Sequence, residues 1–274
     1  MKVFTSSEFI KKLKWLVNDV PNVYYSGSNW SKLNKNGKWQ FDCVVSIKSI
    51  LWGFKADKKL LRGGTVYKSN GVADFTCNGA LKYCTKVSRD FTKLTPGCYL
   101  CMKGTKYNHS GIYLGNGKVF EDTTAWGTRK AIISDISPSG TRSLNGKKCL
   151  KWTYHGLLNY IDYSDAKEDK KNLVKELQEN LNKQWNCKLE VDGIFGPKTT
   201  KACEKHMLKK WVKAPIMVKW LQKRLVDLGY SVGKYGIDGE FGPDTLKAVK
   251  KFQKNYKLEV DGIVGKNTYR KLVS

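Results

Sequence analysis

Long apolar runs are missing from this chain of 274 residues, and histidine occurs only three times and proline six. No stretch approaches the ~20 apolar residues that a membrane-spanning helix needs, which excludes helical insertion into a bilayer. The N-terminal Phe9, Ile10, Leu13, Trp15, Leu16 and Val17 alternate with lysines and spell an amphipathic helix capped by Ser6 or Ser7. That helix has neither the unbroken apolar segment nor the small-residue cleavage site of a secretory signal, so the chain is expected to be made in a cytoplasm without a signal peptide. Acidic residues are scarce: 24 Asp and Glu face 50 Lys and Arg, for a net charge of +26. Residues 1–163 hold 26 basic and 10 acidic side chains, and the remainder 24 and 14, so neither half is a neutral body with a basic tail. Such a field attracts polyanions, whether nucleic acid, anionic membrane or the anionic polymers of a bacterial wall. No helix-turn-helix, zinc-finger or RNA-stacking signature is present, and nucleic acid is not an expected partner. The eight cysteines are too few for a disulfide framework in a chain of this length and read as free thiols. Cys98 and Cys101 form a C-x-x-C on a strand whose side chains alternate faces, so no metal site is expected there.

A phrase recurs in the C-terminal part: Asp192-Gly193-Ile194-Phe195-Gly196-Pro197, then Asp238-Gly239-Glu240-Phe241-Gly242-Pro243, then the looser Asp261-Gly262-Ile263-Val264-Gly265. Each Asp-Gly suits a tight turn, and Pro197 and Pro243 fall where a helix begins, where the missing N–H goes unneeded. Leu173, Val174, Leu177 and Leu181 lie at helical spacing, as do Val218, Leu221, Leu225 and Leu228; Leu246, Val249 and Phe252 mark a third helix. Glutamine follows at Gln178, Gln222 and Gln253. The polar run Asp162 to Lys170 separates this part from a tryptophan-rich half. The pattern of helix, Asp-Gly loop, Gly-Pro and helix resembles the peptidoglycan-binding helical-bundle repeat of bacterial and phage cell-wall hydrolases, over about residues 171–274. The resemblance implies all-α modules at 171–213 and 214–274 that bind cell-wall peptidoglycan.

In the N-terminal half, Val44, Ile47, Leu51 and Phe54 mark one face of a helix with Asp42 as a good N-cap, which puts Cys43 on its first turn. There the helix dipole and free N–H groups favour the nucleophilic thiolate, although a cysteine opening an apolar helix also fits a packed core residue. A hairpin follows at His109-Ser110-Gly111-Ile112-Tyr113-Leu114-Gly115-Asn116-Gly117-Lys118-Val119-Phe120-Glu121-Asp122. Cysteine at a helix start, histidine on a sheet and an acid to orient the imidazole are the parts of a thiol hydrolase. Cross-strand parity puts Asp122 on the His109 face if the turn holds two residues, and Glu121 if Gly115, Asn116 and Gly117 all belong to the loop.

The Asp42-Cys43 helix start, Pro96-Gly97 before a strand and the His-x-Gly-Ile-Tyr-x-Gly-Asn-Gly hairpin resemble the NlpC-type papain-fold cell-wall peptidases over about residues 20–135. The family spacing from the histidine falls on Glu121, which is preferred over Asp122. The chain departs from the family in having Val44-Val45 after the cysteine, where Ser-Gly is usual, and an acid as third residue, where histidine is common. The resemblance also brings Tyr24 near the nucleophile. Asp42 and Trp126 are candidate groove or substrate-binding residues, with Trp152 and His155 as further candidates for a groove lining; His206 reads as a surface residue.

The expected architecture is α+β, a papain-like catalytic domain over 1–164 followed by the all-α modules. The expected activity is an endolysin-like peptidoglycan hydrolase without cofactor, cutting an amide of the stem peptide through Cys43, His109 and Glu121 and reaching the wall after holin-mediated release. An N-acetylmuramoyl-L-alanine amidase with the same triad and a non-catalytic wall-binding protein are the rivals.

Overall fold

The computed structural model describes residues 2–26, 30–104 and 107–274, without the side chains of 167–169, which belong to the polar run between the halves. The chain divides into two compact units, Met1–Ala166 and Lys167–Ser274, described separately below.

The first unit is a mixed α+β body. Its elements run β1 (Phe4–Thr5), α1 (Ser6–Asn18), β2 (Asn22–Tyr24), β3 (Lys32–Leu33), β4 (Trp39–Phe41), α2 (Val45–Leu51), β5 (Cys84–Ser88), β6 (Tyr99–Cys101), β7 (Ser110–Gly115), β8 (Lys118–Thr123), β9 (Lys130–Ile136), β10 (Thr141–Leu144), β11 (Lys147–Lys151), β12 (Tyr154–Leu158) and β13 (Ile161–Asp162). Eight strands form one sheet in the order β11-β10-β9-β8-β7-β6-β12-β5, all neighbours antiparallel. β2, β4 and β3 form a small second sheet, and β1 pairs with β13.

Helix α1 starts one residue earlier than either serine cap allows. Thr5 is the N-cap: its hydroxyl accepts the Glu8 N–H at 3.3 Å, and the Glu8 carboxylate accepts the Thr5 N–H at 2.8 Å. The reciprocal pair needs glutamate three residues after the cap, which only Thr5 has. Ser6 instead donates to the Pro96 carbonyl at 2.6 Å. Phe9, Leu13 and Leu16 point from α1 into a core shared with Ile47, Ile50 and Leu51 of α2 and with Tyr99, Ile112 and Phe120 of the large sheet. The opposite sheet face carries a smaller cluster of Leu100, Val119, Ile136 and Trp152. Cys98 belongs to this second cluster and Cys101 to the first, as alternation along a strand requires.

The second unit holds α3 (Ser164–Trp185, its first turn in the first unit), α4 (Pro197–Lys205), α5 (Pro215–Asp227), α6 (Pro243–Asn255) and α7 (Lys266–Leu272). The three Asp-Gly phrases fold alike. Gln178 Nε2 donates to Asp192 Oδ1 (2.8 Å), the Ile194 carbonyl (3.1 Å) and Thr199 Oγ1 (3.1 Å), while its Oε1 accepts the Gly193 N–H (2.9 Å). Gln222 makes the same four contacts with Asp238, Glu240, Thr245 and Gly239, and Gln253 with Asp261, Ile263, Thr268 and Gly262. Each of these glycines has a positive φ (75°, 88° and 79°), the region where a Cβ is strained. The looser third phrase therefore builds the same lock as the others, with Lys266 in place of proline at the helix start. Helix α6 serves twice, its N-terminus closing the second lock and Gln253 near its end opening the third. Residues of 171–213 and 214–274 fill one hydrophobic cluster, from Val174 and Leu177 through Cys203 and Leu208 to Tyr269 and Val273. His206, expected on the surface, is half-buried and stacks on Trp185 at 4.5 Å between ring centres.

Among the described residues no helix is long and apolar enough to cross a membrane. Replacing Gln222 by alanine strips four hydrogen-bond partners inside the fold, and should destabilise the second unit by about 2–4 kcal/mol in a denaturant titration followed by tryptophan fluorescence.

Candidate functional site

Asp42 shapes the approach to α2. Its Oδ1 accepts the N–H groups of Val44 (3.0 Å) and Val45 (2.7 Å), and its carbonyl takes the Ser46 N–H (3.1 Å). Cys43 stands on this capped turn, just before the helix proper, with 8 % of its surface exposed. Its thiol is hydrogen-bonded to Cys77 on one side and to His109 on the other. The expected thiolate-favouring effect of the helix start is not what dominates. The Cys77 thiol and then burial push the Cys43 thiol well above its usual range, and His109 only partly counters them. A seven-residue helix whose first N–H groups already bind Asp42 offers little positive field to a sulfur ahead of it.

His109 precedes β7, and its ring meets Glu121 across the hairpin, with Nε2 to Oε2 at 2.7 Å. The choice between Glu121 and Asp122 is decided by a feature that parity alone omits. The turn holds two residues, Asn116 and Gly117, between paired Gly115 and Lys118, but the register slips between Tyr113 and Gly115, so that Ile112 faces Phe120. This bulge reverses the parity that a two-residue turn would impose, and Glu121 shares the His109 face. Asp122 lies on the other face with Ser110 and Phe120. Gly111 has a steric role here: a Cβ would sit 2.8 Å from the Trp152 indole, which stacks under His109 at 5.2 Å and an interplanar angle of 14°.

Glu121 is fully buried, a placement that would ordinarily neutralise it. Burial raises its pKa, but hydrogen bonding and attraction from His109 and Arg142 prevail and lower it to about 2. Arg142, on β10, pairs with Glu121 Oε2 through Nη2 and reaches Oε1 through Nε at 3.5 Å. Ser134, on β9, donates to Oε1. Arg142 also lies 5.1 Å from the ring centres of both Trp126 and Trp152, which shields it from water. Burial depresses the His109 pKa, yet hydrogen bonds from Cys43 and Glu121 leave it raised above 6.5. The result is a hydrogen-bonded line of thiol, imidazole and ionised carboxylate.

Five further candidates have defined surroundings. Tyr24 is half-buried, and burial followed by the nearby Cys43, Asp42 and Asp122 raises its pKa to about 12. It therefore belongs to the neighbourhood of Cys43. Asp42 is also raised, by burial. Trp126 donates its indole N–H to the Lys147 carbonyl at 3.0 Å and flanks Arg142. His155 is buried, packs on Phe91 and bonds the Asp90 carbonyl at 3.1 Å. Asp122 is buried with neither carboxylate oxygen hydrogen-bonded. Burial first, then Cys43, Asp42 and Glu121, push its pKa well above the carboxylate range. Sequence reasoning missed Arg142, Ser134 and Cys77. Each of the first two lies two residues from an apolar strand position on its own face, Leu144 for Arg142 and Ile132 and Ile136 for Ser134, a weak signal that a buried carboxylate on β8 would have made meaningful.

Residues 217–272 match the family described as Putative peptidoglycan binding domain. The chain thus carries a peptidoglycan-binding domain over that span. The matched span covers the second and third glutamine locks, while the first, at Gln178, lies before it. A solved structure of a peptidoglycan-binding protein from Clostridioides difficile, in complex with glutamine hydroxamate, is 42 % identical over 24 % of this chain and 40 % of that one, with a TM-score of 0.22. The chain thus spans less than half the length of that structure. No curated protein matches.

Two outcomes test the electrostatics. Because the folded Glu121 titrates near 2 and an unfolded glutamate near 4.5, its contribution to stability is present above pH 4.5 and lost as pH falls toward 2, on the order of 3 kcal/mol. Glu121→Gln should flatten that acid limb in urea titrations. Asp122 has the opposite sign: its raised pKa costs stability as pH rises above 3.8. Asp122→Asn should therefore raise neutral-pH stability in urea titrations, with the gain vanishing near pH 3.

Proposed function

We propose that the protein is a peptidoglycan hydrolase in which the first unit cuts an amide of the wall peptide and the repeats hold it on its substrate. One observation carries the reading: the line Cys43–His109–Glu121, with the carboxylate kept ionised by Arg142, in a chain that also has a peptidoglycan-binding domain. Glu121 accepts the Nε2–H of His109, which leaves Nδ1 as the basic nitrogen for the thiol. His109 takes the Cys43 proton as sulfur attacks the amide carbonyl, then returns it to the leaving amine. The thiol's raised pKa makes proton transfer to the imidazole part of the attack rather than a step completed beforehand. Val44 and Val45 N–H groups are committed to Asp42, so the oxyanion role at the helix start falls to the Cys43 N–H. The fold assignment that accompanies this reading is the papain-like one, supported by a helix-borne cysteine beside a histidine on an antiparallel sheet. The bond we favour lies within the stem peptide; the setting we favour is that of a phage endolysin made in the host cytoplasm and released through a holin.

A second reading, a wall-binding protein that cuts nothing, is favoured by the burial of Cys43 and its hydrogen bond to Cys77, both of which keep the thiol protonated. Purified Gram-positive walls separate the two. Wild type should clear a wall suspension, while Cys43→Ala should lose at least about a thousandfold in rate and still pellet with the walls. Equal clearing by both proteins, or none by wild type, would overturn the hydrolase. Mass spectrometry of the soluble muropeptides should then show a cut inside the stem peptide; a new amine on L-alanine would identify the amidase instead.

A further inference from the structure

Between α2 and β5 the chain makes a surface loop whose outer side chains are of two kinds. Leu61 has 82 % of its surface in water and Val66 62 %, and Leu60 and Tyr67 are exposed as well. Around them stand Lys55, Lys58, Lys59, Arg62 and Lys68, with Asp57 the sole acid in residues 55–68. A single exposed leucine is ordinary on a protein surface, but a cluster of large apolar side chains ringed by cations marks an interaction surface. The cluster is continuous. Leu60 Cδ1 and the Lys55 stem both lie within 3.5 Å of the place a Gly64 Cβ would take, the Arg62 guanidinium sits 3.8 Å from the Trp30 ring centre, Trp30 is 4.6 Å from Tyr67, and the Lys68 amine is 5.1 Å from Tyr67. The loop is also braced. The Lys55 N–H bonds the Gly63 carbonyl (2.8 Å), the Val66 N–H the Trp52 carbonyl (3.1 Å), Ser31 Oγ the Arg62 carbonyl (2.7 Å) and Asn70 Nδ2 the Leu51 carbonyl (2.9 Å). These ties hold Ala56, Arg62, Lys68 and Asn70 at φ of 54° to 58°, a left-handed backbone that costs energy in any residue with a Cβ. Neither hydrolysis nor the glutamine locks use this loop.

We propose that this loop docks the first unit on an anionic phospholipid surface, with Leu61 and its apolar neighbours entering the headgroup boundary and the surrounding lysines pairing with lipid phosphates. Charge complementarity selects the occupant. Five cations against one acid suit a negatively charged surface, and lysine stems can lie along the apolar boundary while their amines stay in the phosphate layer. A soluble wall polyanion would be held by the lysines alone and gives the exposed leucine nothing to bury. A glycan would need an open aromatic face, whereas Arg62 lies over Trp30 and Lys68 over Tyr67. The tyrosine suits the lipid reading, since its ring is apolar and its hydroxyl, which donates to Asp74 Oδ2 at 3.2 Å, is polar. Such contact is peripheral and asks for no spanning helix. It holds whether or not the first unit cuts walls.

The test sediments full-length protein with vesicles of phosphatidylcholine alone and of phosphatidylcholine mixed with phosphatidylglycerol. Wild type should pellet with the anionic vesicles and stay in solution with the neutral ones. Leu61→Ser changes no charge and alters a side chain already in water, so the fold is kept, and the partition coefficient should fall about tenfold. Lys58→Gln/Lys59→Gln should lower it about tenfold as well, whereas Lys11→Gln/Lys14→Gln, which takes the same charge from the exposed face of α1, should lower it far less. Wild type that ignores anionic vesicles would overturn the proposal. So would Leu61→Ser binding as wild type does, or equal losses from the two lysine pairs, since either result reports attraction by net charge alone. Lipid-free walls that pellet wild type but not Leu61→Ser would assign the surface to a wall polymer and overturn it too. Clearing of walls is not a readout here, so failure of the hydrolase reading and failure of this one are separate results.

Discussion

A carboxylate with no exposed surface must either give up its charge or find partners for it, and in the first unit Glu121 finds the Arg142 cation and the His109 ring. Arg142 reaches it from two strands away, and His109 from across the hairpin. Everything at the site follows from this neutralisation. The imidazole is oriented because one of its nitrogens is occupied, and its basicity is raised because a fixed negative charge lies behind it. The two tryptophans that cover Arg142 keep water from weakening the pair. Asp122, its neighbour in sequence, shows the contrast: equally buried but with no cation or donor, it is driven toward the neutral acid. Adjacent residues on one strand acquire opposite ionisation because the sheet has two faces with different chemistry.

Much of this was legible in the sequence, and the exceptions have physical causes. Cys43 after Asp42, and His109 opening a strand before Gly-Asn-Gly, are local patterns whose consequences are local, and the structure brings the two side chains into contact. The decision between Glu121 and Asp122 depended on a bulge near Leu114, a one-residue slip that turn length alone does not determine. Arg142 could not be found by pattern, since a single arginine in a strand acquires meaning only when the strand order puts it opposite a buried acid. The expected lowering of the Cys43 pKa failed for a related reason. It considered the helix start but not Cys77, which arrives from a turn 34 residues further along the chain.

In the second unit legibility ran the other way. The third Asp-Gly phrase looked degenerate because it lacks phenylalanine and proline, yet its lock is complete. What defines the motif is the glutamine amide, the aspartate and the threonine hydroxyl, and these survive at Gln253, Asp261 and Thr268. The aspartate-to-threonine distance is seven residues in all three copies, whereas the loop from glutamine to aspartate varies from 8 to 16. Spacing is rigid where one turn must feed one helix, and loose where the chain only has to return.

The double duty of α6 constrains how such a module can be cut and rejoined. A helix whose two ends complete different locks cannot be divided without breaking both, so the second and third copies travel together as one cassette. A chimaera spliced inside α6 would therefore inherit two half-built turns rather than one spare repeat.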